Sequence, residues 1–273
     1  MSDDAEPEDR PRPPPGALAG LGLGALGLLR AGVELQGVAR RTVYWSIRGR
    51  RARGVVLRQC LEVGNRSVFF VSVTMGFIGM ILVFQSGLQL LRAVPDLQMM
   101  GATFLEALVR DLAASLTALM LATRVGAGIA AEIGSMVVTE QVDALRMSGV
   151  DPVNHLVVPR FLASLVMTGV LIVWAGAVSF FAGCATAYFM FGVAPRTFLN
   201  PMLVDGGDLL TGLTKCLAYG AAIPVVSGWC GLSTFGGSEG VGWATTRAVV
   251  NSSLAVIILN FFISGASFLV FPP

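Results

Sequence analysis

Three ionisable residues stand together in a stretch that is otherwise apolar: Glu106, Arg110 and Asp111, in ATFLEALVRDLAASLTALML (102–121). Glu106 and Arg110 have the i, i+4 spacing and order that let a carboxylate and a guanidinium pair on one helix face. Ionisable groups at membrane depth are costly, so they face a bundle interior or a wet cavity. Two readings are open: a self-neutralising pair near the outer surface that anchors its helix, or a polar wall for a lipid headgroup or an extracytoplasmic partner. A proton relay is not among them, because no chain of acids and histidines extends the group.

The remaining reactive residues exclude more than they suggest. The one lysine, Lys215, lies in LTKCLAY and not in a G-x-x-x-x-G-K-[ST] loop, so ATP hydrolysis by a phosphate-binding loop is not expected. With one histidine, His155, in a loop, neither a histidine-rich metal site nor a Ser-His-Asp triad is expected. Cys60, Cys184, Cys216 and Cys230 make no C-x-x-C pair and read as free packing thiols. No catalytic residue, metal or bound cofactor is expected, and no nucleic-acid partner.

The elements that position these residues belong to a membrane. Hydrophobic residues make up 54% of the 273 and charged ones 13%, against about a quarter charged in a soluble domain. Mean hydropathy is +0.73. Residues 1–15 are acidic and proline-rich, with nothing to bury, and read as disordered. Residues 16–58 read as an amphipathic and then basic segment lying in the membrane interface; the acidic start and the lack of a cleavage site argue against a secretory signal. Five stretches are long enough to cross the hydrocarbon, at about 67–91, 102–123, 161–191, 209–235 and 248–271. The fold class is therefore an all-α integral membrane protein.

Arginine placement sets the orientation. Seven arginines (40, 41, 48, 50, 51, 53, 58) precede the first span, and Arg124, Arg146 and Arg160 lie between the second and third. The N-terminus and the 124–160 block are thereby expected in the cytoplasm.

That block, RVGAGIAAEIGSMVVTEQVDALRMSGVDPVNHLVVPR, is too polar for lipid. Val138, Val142 and Leu145 share one helix face, Glu140, Gln141, Asp143 and Arg146 cover the others, and Gly149 followed by Asp151-Pro152 ends the helix. Periodicity alone fits a solvated connector resting on the membrane as well as a helix that meets a partner.

The wording AEIG-S-M-x-x-TEQ-x-DALR-x-x-G-V-D-P resembles the signature of the MlaE/YrbE permeases, the membrane subunits of MCE-associated ABC lipid transporters. The G-x-ATT-x-AVV-x-S run from Gly242 to Ser252 resembles the family's closing segment, and the weaker FIGMILVFQSG (77–87) its first span. The similarity covers roughly 60–270, within a permease domain at 59–273. It implies a coupling helix at about 132–149 that docks on an ABC ATPase subunit through Glu132, Glu140, Gln141, Val142, Asp143, Ala144, Leu145 and Arg146. It also implies ATP and Mg²⁺ bound on that partner and not here, an MCE-domain protein on the outer side, room for a STAS-domain subunit, and a homodimer in a bacterial inner (cytoplasmic) membrane. By the same resemblance Met75, Ile78, Leu82, Gln85 and Gln89, on one face of the first span, line a lipid pocket. The chain departs from the family where R-E-L-G-P becomes Arg110-Asp111-Leu112-Ala113-Ala114, which suggests a straighter second span, and at Asn260, where an aspartate is common. The reading from another class is an ATP-independent channel or carrier, against which stands the absence of any inverted repeat.

Overall fold

The computed structural model describes residues 17–49, 53–93 and 99–270, and every regular element in them is helical. The segment 1–15 read as disordered lies outside the described residues. In chain order the helices are α1 (Ala17–Arg48), α2 (Arg53–Ala93), α3 (Met100–Val138), α4 (Gln141–Met147), α5 (Val153–Phe191), α6 (Pro195–Phe198), α7 (Gly206–Leu232) and α8 (Gly237–Val270). Five of them, α2, α3, α5, α7 and α8, are long and apolar enough to span a membrane. The shortest, at 27 residues, reaches about 40 Å at 1.5 Å per residue.

One boundary moves. The basic residues at 53–58 belong to α2 and not to the interfacial segment, because a run of polar and charged side chains carries that helix past the apolar stretch. Glu62 pairs there with Arg66 at 3.3 Å, four residues on. The second span, expected to be straighter without the family's glycine and proline, contains two π-helical turns, Leu108–Leu112 and Ala122–Gly126.

α7 lies at the centre, against α3, α5 and α8. Its most apolar stretch is 56% buried, against 6% for α8, whose outer face presents Leu254, Ile257 and Phe261. The broadest helix pair is α2 with α5. Gly79 makes it close: a Cβ there would run into the Ser179 carbonyl oxygen. Without a hydrophobic force between helices in lipid, such small-residue contacts hold a bundle together. Phe198 of α6, fully buried, seals one end against Phe104 and Phe180.

α1 lies across the other end. Ala31, Leu35 and Val38 pack on Ala130, Val226, Trp229, Cys230 and Ala248. Trp229 Nε1 donates to Glu34 at 3.3 Å, and Trp45 Nε1 donates to Asp151 at 3.0 Å. Leu29, Val33 and Ile47 remain outward and exposed, an apolar face suited to the interface. All four cysteines are free.

Candidate functional site

The sequence runs 132–149 as one helix, but the chain breaks it at Thr139–Glu140. α3 continues to Val138, where the Thr139 hydroxyl donates back to the Ser135 carbonyl at 2.9 Å. Glu140 then takes the left-handed conformation, φ 59°, which an L-residue adopts only at a cost. α4 restarts at Gln141 and closes with a Schellman motif: Gly149 N–H donates to Arg146 O and Val150 N–H to Leu145 O, both at 3.0 Å, with Gly149 at φ 75°.

The expected coupling residues are thereby divided. Val142 is buried and Leu145 half-buried against the core, while Glu140, Gln141, Asp143, Ala144 and Arg146 are exposed. Asp143 and Arg146 pair at 3.0 Å on the surface, and Met147 is 90% exposed. Glu132 is not on α4. It sits in the last turns of α3 and pairs with the buried Arg160 of α5 at 2.6 Å.

The Glu106–Arg110 pair does not form among the described residues. The π-helical turn at Leu108–Leu112 changes the register between them, and Arg110 reaches Asp208 of α7 instead, at 3.6 Å. Asp208 also accepts from the Asp205 backbone N–H at 3.2 Å in the capping box that starts α7. Asp111 takes Lys215, whose Nζ lies 2.5 Å from Oδ1 and also donates to the Arg110 carbonyl at 3.2 Å. Ser115 donates to the same Asp111 oxygen at 2.9 Å. One helix away, Tyr219 and Ser264 donate to the Asn260 amide oxygen at 3.0 and 3.3 Å. These are the charges in the membrane region that the sequence located only in part. Lys215, Asp208, Tyr219 and Asn260 were not assigned to the group, though a lone lysine in an apolar stretch was the signal to follow.

The five residues expected to line a lipid pocket do not share one surface. Met75 is fully buried in a cluster with Val71 and Ala175, and Leu82 packs on the main core, because α2 spends that face on α5. Ile78 is half-buried, while Gln85 and Gln89 are exposed. The large apolar cavity lies elsewhere, between α3, α5 and α7, with a volume of about 690 Å³. Leu105, Val109, Gly176, Phe180, Leu213 and Cys216 line it. Arg110, Asp111, Asp208 and Lys215 are not among its lining residues, so the polar network and the cavity use different faces of α3 and α7. The chamber walls are apolar apart from the Cys216 thiol.

The comparisons agree with this architecture. The family model described as Permease MlaE matches residues 56–266. A probable ABC transporter permease protein of Synechocystis is 38% identical over 224 residues, 81% of this chain and 85% of that one. The intermembrane phospholipid transport system permease protein MlaE of Haemophilus influenzae is 30% identical over 217 residues, 78% of this chain and 83% of that one. The chloroplastic protein TRIGALACTOSYLDIACYLGLYCEROL 1 of Arabidopsis thaliana is 29% identical over 239 residues, covering 87% and 68%. An all-α, five-span chain with these matches along most of its length belongs to the MlaE permease family, the permeases of ABC transporters.

Proposed function

We propose that this chain is the permease subunit of an ABC transporter that moves phospholipid or a related lipid between membranes of the cell envelope, driven by a separate ATPase subunit. The observation that carries the reading is α4. It is anchored by buried Val142 and set off from α3 by Glu140, and it leaves Glu140, Gln141, Asp143 and Arg146 facing outward. A short, rigidly capped helix with paired charges on its open face suits docking on a motor, where charges fix register more than they add affinity.

ATP and Mg²⁺ belong to the motor. The single lysine is fully buried against Asp111 and is not available to a nucleotide phosphate. The phospholipid substrate rests on the named function of the Haemophilus relative and on the apolar cavity between α3, α5 and α7. The outward apolar faces of α2 and α8 and the small number of spans favour a homodimer. An MCE-domain protein receives or delivers the lipid on the side away from α4, with a STAS-domain subunit as a third partner. The arginine distribution favours a cytoplasmic N-terminus and a cytoplasmic α4, and the family reading favours a bacterial inner membrane.

Purification of the tagged full chain from its native membrane in mild detergent tests this. A P-loop ATPase and an MCE-domain protein are expected to co-purify, and Asp143→Arg is expected to lose the ATPase while the chain keeps its oligomeric state. A partnerless, stable oligomer would overturn the proposal in favour of an ATP-independent channel or carrier.

A further inference from the structure

At the α4 end of the bundle, three arginines line a second cavity, of about 470 Å³. Arg66 comes from α2, Arg124 from α3 and Arg160 from α5, with Glu62 and Glu132 on the same walls. The two carboxylates are already taken: Glu62 pairs with Arg66 at 3.3 Å and Glu132 with Arg160 at 2.6 Å. Arg124 makes no ion pair among the described residues; its NH1 donates to the Ser67 hydroxyl at 2.5 Å. Three cations therefore face two anions. Arg160, only 5% exposed, also keeps its Nε without a hydrogen-bond partner, which is costly for a buried donor.

The depth of the cavity matters as much as its charge. Arg66 immediately precedes the apolar run of α2, Arg124 follows that of the 102–123 segment, and Arg160 precedes FLASLVM of α5. All three stand at the polar ends of apolar runs, the depth at which arginine side chains reach headgroups. Exposed Phe69 and Phe70 on α2 begin the lipid-facing surface three residues further in. A guanidinium fork matches phosphate oxygens in planar, paired geometry. One surplus positive charge matches the single negative charge of a phosphodiester.

We infer that this cavity binds a phosphate-type monoanion, with Arg124 as its principal ligand, supplied either by a lipid headgroup in the α1-side leaflet or by free phosphate. The site is distinct from the apolar chamber, which lies toward the opposite end of the bundle, and it stands on charge and depth whether or not the chain moves lipid.

Native mass spectrometry of the full chain in detergent, titrated with dioleoylphosphatidylglycerol, tests the inference. Bound lipid is expected on the unaltered chain, with affinity reduced about tenfold in Arg124→Gln through loss of a charged hydrogen bond. Glu62→Gln, on an exposed pair, is expected to bind more tightly because it raises the surplus from one cation to two; it keeps the test decisive if Arg124→Gln folds poorly. Millimolar inorganic phosphate that displaces the lipid identifies the free anion as a ligand, and no displacement identifies the headgroup. Equal lipid affinity across the unaltered chain and both variants would overturn the site. Loss of ATPase co-purification would leave it standing.

Discussion

Lys215 Nζ lies 2.5 Å from Asp111 Oδ1, and the two partners are unequally sheltered: the lysine side chain is fully enclosed while the aspartate keeps 45% of its surface. The pair is therefore asymmetric. Removing the aspartate strands a buried ammonium, whereas removing the lysine leaves a carboxylate that still accepts from Ser115 and has access to its surroundings.

Asp111→Asn is expected to destabilise the chain by about 1–3 kcal/mol, less than for a fully buried pair because the aspartate is half-exposed and the amide oxygen still accepts from the lysine. The double variant Asp111→Asn/Lys215→Met is expected to recover most of that loss, since both charges are gone. Thermal midpoints of the two variants and of Lys215→Met in one detergent complete the cycle. Additive losses would show that the pair is not coupled.

The α2–α5 contact makes a sharper distinction between two neighbouring glycines. A Cβ at Gly76 would meet Val178 at 3.6 Å, an ordinary contact, but at Gly79 it would collide with the Ser179 backbone. Gly79→Ala is expected to cost about 1–3 kcal/mol, as overpacking does, and Gly76→Ala to be tolerated. Expression level and thermal midpoint of the two variants, side by side, check this.

Glu140 holds α4 away from α3 at φ 59°. Glycine accepts that conformation and a β-branched residue does not. Glu140→Gly should leave the midpoint unchanged or slightly raised, and Glu140→Val should lower stability by about 1–2 kcal/mol. Limited proteolysis within 139–149 should follow the same order. Equal behaviour of the two would mean that the left-handed turn does not persist in the membrane.

The apolar chamber is expected to hold lipid. Gly176 lines it, and a Cβ there makes only ordinary contact with Ala113, at 3.5 Å. Gly176→Ala should therefore fold and bind normally, whereas Gly176→Leu projects into the space and should carry several-fold less lipid through purification. Quantitative lipid mass spectrometry per mole of protein reads this out. Unchanged lipid in Gly176→Leu would place the lipid elsewhere.

The sequence by itself determined the solvent and the span count. Twenty-residue apolar runs have one stable form in hydrocarbon, because a helix satisfies its own backbone, so five spans and an all-α fold were legible from composition and spacing. The end of α4 was legible too, since Gly149 supplies the positive φ that the cap requires. The pairing of charges was not. Glu106 and Arg110 had ideal helical spacing, but a π-helical turn changed their register and Asp208, nearly a hundred residues away in the chain, took the arginine. Glu132 sat inside the signature of the coupling block, yet belongs to α3 and serves Arg160. On the α2 face expected to line a pocket, Met75 and Leu82 pack inward while Gln85 and Gln89 stay exposed, and Gly79 and Ser179 let α2 and α5 close. Local spacing fixes what a residue meets along its own helix. Which helices approach, and therefore which charges meet and where an empty volume remains, is decided by packing between segments far apart in the chain.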